Sequence, residues 1–276
     1  MTQQDLALSF RRLHDCPPLV LPNAWDAASA RVVEAAGAQA VATTSAGVSW
    51  ARGYPDGQRL SLGEVVDAVR CITRAVLVPV SADIESGYGV GAPGDVAEAV
   101  RAVVGAGAVG INLEDAPGRD AAPLLTLDEQ AARIRSARAA ARDVGVDIFI
   151  NARTDVYLRE VGAPGGRFDD IARRAAAYVQ AGADGLFVPG VSDVETIGRL
   201  ASAVGVPLNV MIGPGSPSTE ALKAVGVTRV SLGPSVALAA LGHVRRVARE
   251  AIHGGTFRAL DGSLAFGEAD ALFARG

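Results

Sequence analysis

Residues 104–115 read VGAGAVGINLED: the glycine-bearing end of a helix, a short link, an apolar run, and two acids where the run stops. The same order of parts recurs at 34–45 (EAAGAQAVATTS), 179–190 (VQAGADGLFVPG), 202–213 (SAVGVPLNVMIG) and 223–233 (KAVGVTRVSLG). Glycine suits a helix end because it adopts positive φ without a Cβ clash. A short β-branched run after such a turn reads as a strand buried on both faces, as in a parallel sheet. Working outward, strands are expected at 18–23, 40–45, 76–83, 109–114, 148–153, 185–189, 207–212 and 229–233. Helices are expected at 26–36, 61–74, 94–104, 126–143, 168–181, 191–203, 217–224 and 234–252. Thr126 and Glu129 have the spacing of a capping box at the start of the fourth.

The units are too unevenly spaced for a solenoid, and strand–helix alternation favours one α/β domain. The expected architecture is a modified (β/α)8 TIM barrel over residues 1–253. Residues 254–276 then form a C-terminal helical extension, packed on its own barrel or exchanged between subunits. A doubly wound sheet is the rival, but PNAWD follows the first strand where a GxGxxG phosphate loop would be needed.

Composition narrows the chemistry. The 276 residues carry a net charge of -4 without a basic cluster, which argues against nucleic acid and a polybasic membrane patch. Cys16 and Cys71 form no CxxC pair, as expected of a protein in a reducing cytoplasm. The first residues lack a long apolar core of a signal peptide, and no run of apolar residues is long enough to span a membrane. Lys223 is the sole lysine and His14, His243 and His253 the only histidines, so Walker A, Schiff-base and HExxH chemistries lack their reagents. A small-molecule substrate is the remaining expectation.

In a barrel of this kind, reactive groups stand at the C-terminal ends of strands. VSADIESGYG places Asp83 and Glu85 two residues apart, on one face if the strand continues. Glu114 and Asp115 end the next strand. Together they offer oxygen ligands to a divalent ion, directly or through water, and without nearby His or Cys magnesium or manganese suits them better than zinc. The same acids also suit helix capping, arginine pairing or solvent. Arg153 is either a fork for a substrate carboxylate or the buried partner of Asp155 or another acid. Tyr88, flanked by glycines, is a candidate loop-mounted acid or ligand cover. Ser45, Ala46 and Gly47 either present backbone N–H groups to an oxyanion or form a tight loop. Asp56 in YPDG also fits a simple turn, and Asn209 hydrogen-bonds substrate, Arg153 or a neighbouring strand.

TSAGVSWARGYPD (44–56), PVSADIESGYG (79–89), INLEDAPGR (111–119), FINARTDVY (149–157) and GADGLFVPG (182–190) occur in the order seen in the isocitrate lyase and phosphoenolpyruvate mutase family. The chain resembles a short member of that family over residues 10–255. The resemblance implies magnesium at the C-terminal face of the barrel and chemistry on 2-oxo acids or their enolates. It makes Ser45, Ala46 and Gly47 similar to the loop holding the substrate carboxylate and oxo group, with Asp83 as principal metal ligand and Glu85 and Glu114 as water-mediated partners. Glu85 stands where the family often has aspartate. Asp56 resembles an acid near the metal and gating region, Arg153 the substrate-binding arginine, and Asn209 a polar substrate-side residue of some lyases. Asp56, Tyr88 and Arg153 are thus the candidate catalytic side chains.

Departures from the family bear on the reaction. Family lyases carry K-[KR]-C-G-H in a mobile loop where this chain has APGRDAAPLL (116–125), without cysteine or lysine. The lysine and asparagine of phosphonopyruvate-processing members are missing too, and Pro189 stands where lyases place glutamate and mutases histidine. The expected activity is a magnesium-dependent C–C lyase or decarboxylase on a small 2-oxo or 2-hydroxy dicarboxylic acid, through a metal-stabilised enolate. C–P chemistry of the phosphonopyruvate hydrolase or phosphoenolpyruvate mutase type is the alternative, and a weakly catalytic binding barrel the third. The chain is expected to form a homo-oligomer, dimer or tetramer.

Overall fold

The computed structural model describes residues 1–117 and 124–274. Nine parallel strands form its sheet: β1 Leu19–Leu21, β2 Asn23–Ala24, β3 Val41–Thr43, β4 Val80–Asp83, β5 Gly110–Glu114, β6 Phe149–Arg153, β7 Gly185–Val188, β8 Leu208–Met211 and β9 Arg229–Ser231. Their order, β1-β9-β8-β7-β6-β5-β4-β3-β2, wraps round so that the first and last in the list are neighbours in sequence. The eight expected strands are therefore present, with the first split in two. Pro22, which has no N–H to give a ladder, stands at the break. Leu19–Leu21 pairs with β9 and Asn23–Ala24 with β3, which closes the barrel across the split. Asn23 seals this seam. Its Oδ1 accepts from the N–H groups of Leu232 (3.0 Å) and Gly233 (2.8 Å), while Nδ2 donates to the Thr43 carbonyl at 2.9 Å.

Helices alternate with the strands as expected, and most begin with a side-chain cap. Thr126 and Glu129 form the anticipated capping box of the helix Leu127–Asp143, and Ser61 with Glu64 does the same for Leu62–Ala75. Two helices lie outside the expected set. Ser45–Ala51, expected as part of a loop, is a short helix capped by Thr44. Gln3–Leu13 closes the N-terminal mouth of the barrel. Its Phe10 is wholly buried, meets the Phe149 ring edge-on at 5.8 Å, and lies 5.7 Å from the guanidinium of Arg229. His14 stacks on Phe149 at 4.0 Å, and burial with the nearby Arg229 charge lowers its pKa to about 4. A Cβ on Gly110 would come within 2.7 Å of the Phe10 ring, so the strand floor is shaped to this plug.

Helix Ser235–Arg249 ends in a wider turn, Glu250–Gly254, rather than running straight to residue 252. The Glu250 carboxylate accepts from the backbone of Arg258 and Ala259 and from the Thr256 hydroxyl, which folds the chain over. The short helix Phe266–Ala271 follows, and Arg31 Nε donates to the Leu272 carbonyl at 2.6 Å. The extension thus touches its own barrel. Among the described residues no helix is long and apolar enough to cross a membrane.

If the plug is integral to the barrel, Phe10→Ala should lower unfolding stability by about 3–5 kcal/mol, the usual cost of emptying an aromatic site. A loss below about 1 kcal/mol in denaturant titration would show that the barrel floor is independent of the first helix.

Candidate active site at the C-terminal strand ends

The parallel strands bring β3 to β6 to a common end, and the acids gather there. Thr43 Oγ1 accepts the Asp83 N–H at 2.8 Å, tying β3 to β4. The Ser45 hydroxyl donates to Asp83 Oδ2 at 2.9 Å, and its N–H reaches the same oxygen at 3.4 Å. Strand β4 does not continue to Glu85 as expected for two acids on one strand face. It stops at Asp83, and Glu85 takes φ 49°, a left-handed conformation that costs a non-glycine residue energy. Gln58 and Tyr88 share it, with φ 55° and 61°.

This strained turn is clasped from two sides. The Gln58 N–H donates to Glu85 Oε2 at 2.7 Å, its side chain bonds Ser86 Oγ, and its Oε1 accepts the Tyr88 N–H at 2.8 Å. From behind, buried Arg133 donates to the carbonyls of Ser86 and Glu114, joining the segments that carry Glu85 and Glu114. Tyr88 is also buried, with its hydroxyl 3.4 Å from Glu85 Oε1, and burial first, then the Glu85 charge, push its pKa well up.

Arg153 ends β6 in register with Glu114 of β5. Its NH1 lies 2.8 Å from Glu114 Oε2, while Nε and NH2 grip Asp155 at 2.6 and 3.0 Å. Of the two sequence readings of Arg153, the structure shows the pairing with acids, and the residue also lines the cavity. Asp115 takes a structural place: it accepts from the Tyr178 hydroxyl (2.8 Å), Arg174 (3.0 Å) and the Asp155 N–H (3.0 Å).

Two adjoining cavities open on this end. One of about 300 Å³ is lined by Ser45, Asp56, Glu85, Glu114, Arg153 and Asp155, with Leu158 and Arg159 at its wall. The other, about 200 Å³, shares Ser45, Asp56, Arg153 and Leu158 and adds Ala46, Asp83, Asn112 and Phe187. Ser45, Ala46, Asp56, Asp83, Glu85, Glu114 and Arg153 are thus brought together. Gly47 instead lines an apolar groove with Trp25, Trp50 and Ala237, where a Cβ would strike Thr44 and Trp25. Tyr88 stands behind Glu85. Asn209 is fully buried with neither amide atom partnered, and lines neither cavity. Asp155, Leu158, Arg159 and Phe187 are additions to the set, of which only Asp155 carried a signal, its spacing from Arg153. The loop APGRDAAPLL (116–125), which stands in place of the lyase loop, falls largely on residues 118–123, outside the described residues.

Burial, and then the charges of Asp83 and Asp56, raise the pKa of Glu85 to about 7. Burial also drives Glu114 upward, against the pull of Arg153 and with the push of Asp155, Asp83 and Glu85. Crowded carboxylates of this kind fit a cation. No three of the acids converge as a closed ligand cage among the described residues. The donor set is all oxygen, however, and magnesium retains several waters and takes only one or two carboxylates directly. Asp83, with Glu85 and Glu114 reached through water, would suit such an ion.

The fold and this acid-rich strand end define an α/β barrel with an oxygen-lined site at the C-terminal ends of its strands. A phosphoenolpyruvate phosphomutase family model matches residues 10–252, and the chain belongs to this family, within the isocitrate lyase and phosphoenolpyruvate mutase superfamily. An uncharacterised Mycobacterium tuberculosis protein is 37% identical over 87% of the chain and 88% of its own length. Escherichia coli 2-methylisocitrate lyase is 32% identical over 69% of this chain and 64% of that enzyme. An Ectopseudomonas mendocina oxaloacetate decarboxylase is 31% identical over 68% and 64%. In structure, a Burkholderia cenocepacia protein provisionally termed a lyase/mutase superposes with TM-score 0.91 and 39% identity, over 99% of this chain and 97% of that one.

The raised Glu85 pKa has a defined sign. The folded protein holds a proton that the unfolded chain releases near the ordinary 4.5, so this contribution to stability is lost as pH rises through about 7. His14 works the other way only below its ordinary 6.5. With chelator present, Tm should therefore fall as pH rises from about 6.5, where His14 no longer opposes it, to about 8, and Glu85→Gln should lessen the fall, with the raised Glu114 carboxyl supplying the rest. Magnesium affinity should rise over the same interval, because binding must displace the proton. A chelated Tm that climbs with pH across this window would refute the assignment.

Proposed function

We propose that the protein is a magnesium-dependent lyase or decarboxylase acting on a small 2-oxo or 2-hydroxy dicarboxylic acid. The observation that supports this most is the convergence of Ser45, Asp83, Glu85, Glu114 and Arg153 on one pair of adjoining cavities. Family membership supports metal-assisted C–C or C–P chemistry on such acids in general terms. Asp83 would hold the ion directly, with Glu85 and Glu114 acting through water. When bound, the cation supplies positive charge opposite the oxygens of the reacting oxo acid.

The chain's own residues have separate tasks. Arg153 receives the carboxylate beside the oxo or hydroxyl group, and its pairing to Glu114 and Asp155 fixes the plane of the fork. Ala46, in the first turn of a helix, would turn its N–H toward negative charge developing on the oxo oxygen, while the Ser45 hydroxyl and N–H hold Asp83 in place. Asp56 stands on the rim shared by both cavities, and Tyr88 orients Glu85 from behind. Loss of carbon dioxide from a 2-oxo diacid leaves an electron pair that water can protonate, so no cysteine acid is required. Cys16 and Cys71 are exposed, and neither lines these cavities.

C–P chemistry is the second reading, favoured by the phosphomutase family match. A homo-oligomer is also proposed, because Leu238, Leu241 and Val244 on the last barrel helix and Ile252, Phe257 and Phe266 beyond it are exposed.

Asp83→Ala should weaken magnesium binding by at least about tenfold in calorimetric titration and abolish decarboxylation of oxaloacetate. Replacing Cys16 and Cys71 together by serine should leave that activity intact. Phosphonopyruvate turnover to inorganic phosphate or a rearranged product, with no carbon dioxide or C–C fragments from the diacids, would sink the leading reading.

A further inference from the structure

A second guanidinium stands on the cavity wall. Arg159 follows β6 and lines the cavity of about 300 Å³ beside Leu158 and Asp155. Its Nε lies 3.6 Å from Asp155 Oδ2, the oxygen that also takes Arg153 NH2 at 3.0 Å. Two forks sharing one oxygen are close enough to meet the two ends of one short diacid.

The turn bearing Arg159 is firmly built. Its N–H donates to the Asp155 carbonyl at 2.8 Å, and the Val161 N–H donates to Val156 at 2.9 Å. Gly190 packs so tightly on this turn that a Cβ there would lie 2.7 Å from Leu158 backbone atoms. Charge gives the side chain its purpose. Asp56, Glu85, Glu114 and Asp155 all face the same cavity, so an anionic arm extending away from a substrate held at Arg153 and the ion would meet repulsion without a further cation on the wall beside it. Leu158, on the wall of both cavities, offers apolar surface to the carbons between the two ends.

We propose that Arg159 is a specificity-determining residue that receives the distal carboxylate of the substrate, with the proximal carboxylate at Arg153. It selects dicarboxylic over monocarboxylic 2-oxo and 2-hydroxy acids. The inference rests on the reading of this cavity as an oxo-acid site. A guanidinium suits the role because its planar fork matches a carboxylate, which a lysine ammonium does not.

The test is calorimetric binding to the magnesium-loaded protein of three stable probes: oxalate, which has no distal arm, malate, and 2-hydroxybutyrate. Wild type should prefer malate to 2-hydroxybutyrate. Arg159→Met should weaken malate by about tenfold, as loss of a charge-assisted hydrogen bond does, while oxalate and 2-hydroxybutyrate stay within about twofold. Arg159→Lys should recover part of the malate affinity, which separates the contact from any loss of fold. Malate binding unchanged in Arg159→Met, or weakened no more than oxalate, overturns the role of Arg159 while leaving the cavity reading in place. Wild-type protein that binds neither oxalate nor malate overturns the cavity reading and this inference with it.

Discussion

The structure of the strand ends depends on one charge, the guanidinium of Arg153, shared between Glu114 and Asp155. Carboxylates taken out of water without compensation are costly, and the acids here are mostly buried. The register that sets Glu114 beside Arg153 is the register that aligns β5 with β6 along their whole length. The site's charge balance is therefore fixed by the same hydrogen-bond ladder that builds the barrel. Asp115 and Arg174 repeat the device one layer out, where Asp115 also accepts the Asp155 N–H and so steadies the acid that grips Arg153.

Helix–glycine–strand units were legible because glycine at a helix end and β-branched runs between helices each have a local physical cause. Element ends shifted by a few residues, and the strands came out shorter than their apolar runs, since apolar character marks burial whereas the ladder ends where the backbone turns away. The break at Pro22 was visible as a missing N–H, but its use as the barrel's closure depends on pairing with β9 and β3, partners far off in sequence. Helix Gln3–Leu13 shows apolar Leu6, Phe10 and Leu13 at helical spacing, a signal masked by its short length and many polar residues. Ser45–Ala51 rests on a Thr44 cap and contains glycine, which lowers helix propensity.

Acids and the arginine at strand ends were readable for a general reason: in a parallel barrel the ends converge whatever the loops do. Side-chain direction beyond the strand was not. Alternation predicts one face for Asp83 and Glu85, but the left-handed turn at Glu85 breaks the alternation and sets the two acids on adjoining cavities. Gly47 illustrates the converse. Its presence in the substrate-loop motif suggests backbone contact with a ligand, whereas its lack of a side chain lets the helix approach Thr44 and Trp25. Arg159 gave no signal, because its place depends on how the turn after β6 folds back.

Strain and clamping explain why such a turn persists. Three non-glycine residues with positive φ, Gln58, Glu85 and Tyr88, fall in two segments that meet, and each such conformation costs on the order of 1 kcal/mol or more. Left alone, the turn would relax toward extended backbone and carry Glu85 away from Asp83. Gln58 opposes that from the front through Glu85, Ser86 and Tyr88. Arg133 opposes it from behind through the carbonyls of Ser86 and Glu114. Because Arg133 belongs to the helix between β5 and β6, the spacing of the acids is set by packing of that helix on the barrel. The burial, and after it the crowding by Asp83 and Asp56, that raise the Glu85 pKa are therefore held in place by the core, and cannot be relieved by movement of the loop alone.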